Sequence, residues 1–468
     1  MATVSGVLVF ARHGDRQGFY QSPTTYSATK TNLTVAGYVQ EYNLGTDLRN
    51  AYLNASSPSL IQGINTTVSQ NAQLSAAADA GGESGPILES AAALLQGLYP
   101  PYSETITLAN GNVVSWDNRA QLIPIETVEA DQSPDFEGWT DCSSFEDRLA
   151  DFYASDDFKK QAAIANPFFA SLKGVLGPNR PAKLENAWNI FDFLNVESIH
   201  NTTLAPQIGA QNLSLAKYWA DYHEAGSFTD TDKTNVGNVA GQAFLAPVLD
   251  SLHRLDNATD PLKFSLLQIS YKPFLSLFKM FDLGAPLSTS VVDYASAAVF
   301  EVYSDHSIRM LFRNGSSGPF EPYALLGSDS MTMPLSDFNK AMQPYNLDTL
   351  SKWCNQCSET EAKGCATLAA LNGTGGAGYA SVTSTEGRHA VSPVVAGVIG
   401  AFVALAVAAA LLALWLLAGG LVKKHRGANA APIHRRDAKG QHELQDRASN
   451  ASTRQEGSHT DLVKQASA

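Results

Sequence analysis

Residues 12–16 read Arg-His-Gly-Asp-Arg, a combination of side chains suited to phosphoryl transfer. The guanidiniums of Arg12 and Arg16 offer planar forks of donors that match phosphate oxygens. Between them, a neutral His13 can attack phosphorus and form a phosphohistidine, which divides one difficult displacement into two easier ones. Gly14 lets the backbone approach an anion closely. The pattern predicts a phosphate site with His13 as nucleophile; the alternative is a chance tripeptide in a basic turn.

The element that must position this pattern is the apolar run at residues 4–10, which ends directly before it. A short run rich in Val with a terminal Phe predicts a buried strand. In open α/β sheets, ligands bind outside the carboxyl ends of strands. We therefore expect Arg12 and His13 at such an edge.

The motif resembles the RHGxRxP signature of the histidine phosphatase superfamily, in its acid-phosphatase and phytase branch, with Gly18 in place of the Pro. The resemblance extends over about residues 4–365, through stretches at residues 32–37, 44–49, 90–101, 264–278 and 312–315. It implies an α/β fold of the phosphoglycerate mutase type. This is a three-layer sandwich with a mixed, mostly parallel sheet and an inserted α-helical cap lobe at about residues 110–235. It also implies that no metal or other cofactor is required.

Two parts of the family's catalytic set differ here. Aligned by the resemblance, a third phosphate-binding Arg falls on Ala77. The His-Asp pair, which contacts phosphate and protonates the leaving alcohol, falls on Tyr271 and Lys272. Lys272 is a candidate phosphate contact, and Tyr271 or Asp15 is a candidate proton donor. Losing a positioned acid typically costs about 10²–10⁴ in rate, so we expect reduced or altered activity.

Two further stretches of the chain contain acidic residues that could be considered for the site. Asp305-His306 is the family's pair reversed, but it lies in a strand pattern well past the matching block, which favours solvated loop residues. Asp79 and Glu83 flank a Gly-rich stretch and are expected to form a turn.

The chain has 468 residues, 44% of them hydrophobic, and a net charge of −13. This composition excludes a mostly disordered chain, and the acidic balance excludes a nucleic-acid partner. Residues 390–422 carry no charge. This uncharged stretch is longer than the ~20 apolar residues that span a bilayer. A transmembrane helix is therefore predicted at 394–422, with the lipid bilayer as a partner. The alternative is a buried core helix.

Charges around this segment predict its orientation. Residues 423–468 contain nine Lys/Arg against five Asp/Glu, which places them in the cytosol by the positive-inside rule. We expect an extracellular or lumenal ectodomain at 1–370, a Gly/Ser/Thr-rich stalk at 371–393 and a disordered basic tail at 423–468. No signal peptide is recognisable at residue 1, so either the start is incomplete or the transmembrane helix directs export.

Sequons and cysteines support an exported ectodomain. All four cysteines precede the predicted helix, which favours two disulfides among Cys142, Cys354, Cys357 and Cys365. For the Cys-x-x-Cys at 354–357, a redox pair or a zinc site is the alternative. Eight sequons also precede the predicted helix: Asn32, Asn54, Asn65, Asn201, Asn212, Asn257, Asn314 and Asn372. A ninth, Asn450, lies in the tail.

Three functions are compatible with these observations. The first is a membrane-anchored phosphomonoesterase that acts through a phosphohistidine. The second is a catalytically inactive relative that binds a phosphomonoester or another anionic small molecule. The third is a glycosylated surface scaffold.

Overall fold

The computed structural model describes residues 2–18, 31–81 and 85–373. The strands, in chain order, are β1 (Val4–Arg12), β2 (Leu74–Asp79), β3 (Tyr102–Thr107), β4 (Val113–Arg119), β5 (Glu126–Val128), β6 (Phe264–Ile269), β7 (Ala297–Tyr303), β8 (Ser307–Arg313), β9 (Glu321–Tyr323) and β10 (Met333–Pro334). The helices are α1 (Val35–Tyr52), α2 (Gly85–Leu98), α3 (Ser143–Ala154), α4 (Asp156–Ser171), α5 (Lys173–Leu176), α6 (Ala187–His200), α7 (Ala205–Ile208), α8 (Ala210–Phe228), α9 (Val239–Asp256), α10 (Lys272–Met280), α11 (Leu335–Met342), α12 (Leu350–Cys357) and α13 (Cys365–Gly373).

The main sheet is mixed, as predicted. Its order is β10-β8-β7-β1-β6-β2-β5, with β9 beside β8. Parallel pairing joins β1 to β6, β6 to β2 and β2 to β5, whereas the pairs made by β7, β8, β9 and β10 are antiparallel. The expectation of a mostly parallel sheet is therefore wrong. For β7 and β8 the reason is the tight turn at residues 304–306, because strands joined so closely can pair only antiparallel.

Strand β1 is the centre of a helix–sheet–helix sandwich. Its side chains alternate between two hydrophobic clusters. Leu8 and Phe10 pack with residues of α9 and α10, whereas Val7, Val9 and Ala11 pack with residues of α1 and α2. The predicted strand at residues 4–10 is confirmed, and it extends two residues further to Arg12.

Glycines allow α1 and α2 to cross at backbone contact. A Cβ on Gly45 would lie 1.9 Å from the Leu94 carbonyl oxygen, and one on Gly97 would lie 2.0 Å from that of Tyr42. At the start of α1, a Cβ on Gly37 would lie 2.1 Å from the Asp15 carbonyl oxygen. Helix α1 therefore supports the loop after β1 directly.

Helices α3 to α8 form a lobe with its own apolar core, which includes Phe158, Phe169, Ile190 and Trp219. The range expected for the cap, residues 110–235, needs correction at its start. Strands β3 and β4 form a separate two-stranded sheet, and β5 joins the main sheet beside β2. The first helix of the lobe, α3, begins at Ser143.

Both predicted disulfides are present. Cys142–Cys357 joins the start of the cap to α12, and Cys354–Cys365 joins α12 to α13. Each cysteine of the Cys-x-x-Cys is bonded elsewhere, so this pair is neither a redox couple nor a zinc site. Helix α13 continues to Gly373, three residues into the range expected for the stalk.

None of the helices within residues 2–18, 31–81 and 85–373 is long and apolar enough to cross a bilayer. The predicted membrane helix at 394–422, the tail at 423–468 and the stalk beyond residue 373 lie outside the described residues.

The two disulfides should differ in their contribution to stability. Cys142–Cys357 closes a loop with a sequence separation of 215, against 11 for Cys354–Cys365. From loop-closure entropy, we expect Cys142→Ala/Cys357→Ala to lower the free energy of unfolding by about 5 kcal/mol and Cys354→Ala/Cys365→Ala by about 3 kcal/mol. Denaturant unfolding of both double variants measures this. Equal losses, or a larger loss for the short loop, would contradict the assignment.

Candidate active site

Arg12, the last residue of β1, is held in an aromatic enclosure. Its guanidinium carbon lies 4.6 Å from the ring centre of Tyr294, 5.3 Å from that of Tyr271 and 5.9 Å from that of Trp188. Nη1 donates to the carbonyl of Val292. Cations bind well over aromatic faces, so this buried charge has a fixed position and direction.

The ring of His13, the predicted nucleophile, is held in one tautomer. Its Nδ1 lies 2.8 Å from the Gly14 carbonyl oxygen. A carbonyl oxygen can only accept, so Nδ1 carries the proton and Nε2 of the neutral ring carries the lone pair. The backbone is fixed from both sides, since His13 N donates to Ile269 and its carbonyl accepts from Ala295. The side chain is 1% exposed.

The loop after His13 requires a glycine, but for another contact than the predicted approach to an anion. Gly14 N donates to Ser90 Oγ of α2 at 3.0 Å. A Cβ on Gly14 would lie 2.7 Å from the Gly37 carbonyl oxygen. The close approach that Gly14 permits is to helix α1, and it sets the position of the motif.

Asp15 connects the motif to α1 and to the cap. Its Oδ2 accepts from Thr34 Oγ1 and lies 2.7 Å from Nε2 of His200, the last residue of α6. The carboxylate is almost fully buried. These contacts hold Asp15 as a structural link, and it does not line the cavity described below, which argues against its predicted role as proton donor.

Arg16 forms an ion pair with a cap residue that sequence reasoning missed. Its Nη1 lies 3.1 Å from Asp192 Oδ1 and 3.3 Å from Oδ2. Arg16 is fully buried and Asp192, on α6, is 2% exposed. The second predicted phosphate ligand is therefore balanced by a carboxylate from the lobe above it.

A cavity of about 580 Å³ lies between α6, α8 and the carboxyl end of β1. Its wall includes Arg12, Trp188, Asp192, Lys217 and Tyr294. His13 and Arg16 lie directly behind this wall: the His13 ring is 5.5 Å from that of Tyr294, and Arg16 contacts Asp192. The cavity can hold an organic group whose phosphate reaches the motif.

Tyr294, in the loop before β7, is a second residue that sequence reasoning missed. Its buried phenol oxygen has no hydrogen-bond partner among the described residues. Burial raises the pKa of this phenol to about 12, against the opposing effect of Arg16. The group therefore keeps its proton at neutral and acidic pH and can donate to an anion in the cavity.

Neither residue at the predicted His-Asp position lines the cavity. The Tyr271 hydroxyl donates to Glu224 Oε2 at 2.7 Å, and its ring faces Arg12. Lys272 Nζ lies 4.8 Å from the ring centre of Trp139. The ammonium also lies 5.3 Å from the ring centre of Tyr271, and a phosphate contact by Lys272 stays a prediction.

A buried chain of hydrogen bonds fixes Tyr271. Tyr153 Oη lies 2.8 Å from Nε2 of His223, whose Nδ1 lies 2.6 Å from Glu224 Oε1. Glu224 Oε2 accepts from Tyr271. The cap thus engages the hydroxyl that was a candidate proton donor and holds it on Glu224.

Ala77 does not lie at the site either. It is paired with Leu267 of β6, which is also the partner of Phe10, so it is level with a residue two positions before Arg12. Its side chain packs against the main hydrophobic cluster. An arginine there would enter the core, so the alignment that assigned the third phosphate ligand to Ala77 needs correction.

The remaining acidic candidates have local roles. Asp79 Oδ1 accepts from Gly81 N at 2.8 Å, which is the turn predicted, whereas Glu83 lies outside the described residues. Asp305 and His306 form the turn between β7 and β8, at the far end of the sheet, because Tyr303 pairs with Val4. The His306 side chain is 73% exposed, which confirms the interpretation as solvated residues.

No cluster of three or more His, Cys, Asp or Glu side chains with a geometry for a metal ion occurs in the part of the chain that the structure describes. The arginines supply the positive charge at the site.

Solved structures resemble this fold. A phytase from Citrobacter braakii matches with a TM-score of 0.51 and 12% identity, over 75% of this chain and 99% of that one. A phytase from a Klebsiella species also matches with a TM-score of 0.51 and 12% identity, over 74% and 96% of the two chains. At this identity the likeness concerns the fold alone.

Curated relatives and a family model match the sequence of this chain. The lysosomal acid phosphatase of Xenopus laevis is 25% identical over 76% of this chain and 78% of its own length. The prostatic acid phosphatase of Mus musculus is 25% identical over 76% and 89%. The model for the histidine phosphatase superfamily (branch 2) matches residues 8–313. With the Arg-His-Gly-Asp-Arg motif at the end of β1, the chain belongs to branch 2 of the histidine phosphatase superfamily.

Proposed function

We propose that this chain hydrolyses phosphomonoesters through a phosphohistidine on His13, with altered activity relative to the acid phosphatases that it resembles. The observation that carries this proposal is the bond from Nδ1 to the Gly14 carbonyl. It leaves the lone pair on Nε2 of a buried ring, next to a cavity of about 580 Å³.

Each group has a chemical role in this proposal. His13 Nε2 attacks phosphorus, and the ester oxygen leaves into the cavity. Arg12 and Arg16 stabilise the charge on the transferring phosphoryl group, which is most effective in a site without bulk water. Water then hydrolyses the phosphohistidine and regenerates the imidazole.

The altered activity follows from the positions of Tyr271 and Lys272. Their polar atoms contact Glu224 and Trp139 and do not reach the cavity wall. Hydrolysis of an alkyl ester, whose alkoxide needs a proton to leave, therefore depends on a proton donor other than these two residues. The Asp192–Arg16 pair favours a second candidate, a protein that binds an anion without turnover, because the carboxylate competes for the phosphate ligand.

We further propose that residues 1 to about 385 form an exported ectodomain, anchored by a helix at 394–422. Two disulfides support an oxidising compartment. Sequon asparagines at 32, 54, 65, 257 and 314 are exposed, and those at 201 and 212 are half-buried. The amides of Asn201 and Asn314 already donate to Glu197 and Asp293, so these two sequons are less suited to a glycan.

Turnover should depend on His13. Replacing it with alanine removes the nucleophile and should lower the rate with an aryl phosphate by a factor on the order of 10⁴ or more. The control is His306→Ala, which removes the same side chain from a solvated turn and should leave the rate unchanged. Steady-state assays of the ectodomain from pH 3 to 8 measure both. A His13→Ala variant with full activity would rule out the phosphohistidine.

Anion binding should depend on Arg12 and not on Lys272. Hydrogen bonds to charged groups are worth roughly 1.5–3 kcal/mol each, so Arg12→Gln should weaken vanadate binding about 100-fold. Lys272→Ala should change it less than about 2-fold, because no phosphate contact is lost. Inhibition or calorimetric titration distinguishes the two. Strong loss in Lys272→Ala alone would show that the anion binds elsewhere.

The orientation is tested on intact cells. Added protease should remove the ectodomain and spare an epitope placed in residues 423–468, because that epitope is cytosolic. Loss of the tail epitope with survival of the ectodomain would reverse the orientation.

A further inference from the structure

Phosphomonoester hydrolysis needs a proton for the leaving oxygen, and the residues at 271 and 272 are not placed to supply it. This inference rests on the proposed function. Three acidic groups near the motif can be compared by their contacts: Asp15, Asp192 and Asp293. Tyr294 adds a fourth source of a proton.

Asp192 differs from the others because it contacts both parts of the site. Its carboxylate lies 3.1 Å and 3.3 Å from Arg16 Nη1, so a phosphoryl group bound by Arg16 shares a guanidinium with it. The same side chain lines the cavity, which the leaving group must occupy. Helix α6, which carries it, also supplies Trp188 and Phe191 to the wall.

The other groups fit the role less well. Asp15 is held by Thr34 and His200 and does not line the cavity. Asp293 lines the cavity but is exposed and accepts from the Asn314 amide at 3.1 Å. Tyr294 is a weak acid, because burial raises its pKa to about 12. A donor in this site works best when its acidity matches the working pH.

Substrate binding would favour the protonated form of Asp192, which is the form that a general acid requires. Without an anion, the carboxylate is the counter-ion of Arg16. A phosphate group at Arg16 places a like charge beside it, and like charges favour the protonated carboxyl. Anion binding and proton uptake are therefore coupled at this position.

We propose that Asp192 is the general acid of this chain and replaces the donor that the family's His-Asp pair would provide. In the first step, the bond from His13 Nε2 to phosphorus forms, the ester P–O bond breaks, and the Asp192 carboxyl gives its proton to the departing oxygen. In the second step, water attacks the phosphohistidine and the Asp192 carboxylate takes its proton. The P–N bond breaks, and the products are alcohol and inorganic phosphate.

The test compares leaving groups. With β-glycerophosphate, Asp192→Asn should lower kcat/KM by about 10²–10⁴. With p-nitrophenyl phosphate, whose leaving group needs little protonation, it should fall less than about 10-fold. The matched control Asp305→Asn, an exposed carboxylate in the turn between β7 and β8, should leave kcat/KM with both esters unchanged. Vanadate should bind Asp192→Asn at least as tightly as wild type, because a competing carboxylate is gone and the site is intact.

A second readout follows from the second step. Without a base, Asp192→Asn should accumulate phosphohistidine when mixed with p-nitrophenyl phosphate, as an alkali-stable, acid-labile phosphoprotein. Asp192→Glu should recover part of the β-glycerophosphate activity, which excludes a folding defect as the cause.

Other outcomes overturn the proposal. Equal losses with both esters would make Asp192 a positioning residue for Arg16. A leaving-group-dependent loss in Tyr294→Phe and not in Asp192→Asn would assign the proton to the phenol. Wild-type protein that turns over neither ester would refute the proposed function itself, which separates that failure from the failure of this inference.

Discussion

The buried charges at the end of β1 determine much of the surrounding structure. A charged side chain cannot be taken from water without compensation, and Arg12, Asp15 and Arg16 are all almost fully buried within five residues. Arg16 is paired with Asp192, and Asp15 is held by His200. Both partners come from α6. The helical lobe is therefore attached to the sheet through the same groups that would bind phosphate.

This arrangement makes the cap part of the active site rather than a cover. Arg12 is compensated in another way, by three aromatic rings and a backbone carbonyl. Trp188 comes from the cap, Tyr271 from the start of α10 and Tyr294 from the loop before β7. The guanidinium is thus enclosed by three separate segments, and its direction depends on all of them. A preorganised donor of this kind requires little rearrangement when charge develops on a transferring group.

The sequence was informative where function depends on neighbouring residues. The strand at residues 4–10 and the family were both readable from a short motif and its preceding apolar run. The position of Tyr294 was not, because its approach to Arg12 depends on the antiparallel pairing of β7 with β1. The Arg16–Asp192 pair joins residues 176 positions apart and leaves no periodic signal. Ala77 shows a different difficulty. The sequence alignment took no account of strand register, and it assigned to the site a residue whose side chain packs against the core.

Tyr271 and Lys272, the residues at the predicted position of the His-Asp pair, are each satisfied by contacts of their own. Tyr271 fills space beside Trp188, at a ring distance of 4.3 Å, and its hydroxyl is satisfied by Glu224. Lys272 keeps its charge outside the core by lying over Trp139. Neither residue therefore leaves an unpaired buried charge at this position. Asp192 of α6 is a buried carboxylate at the cavity wall, so changes in the lobe should alter the chemistry proposed for the site.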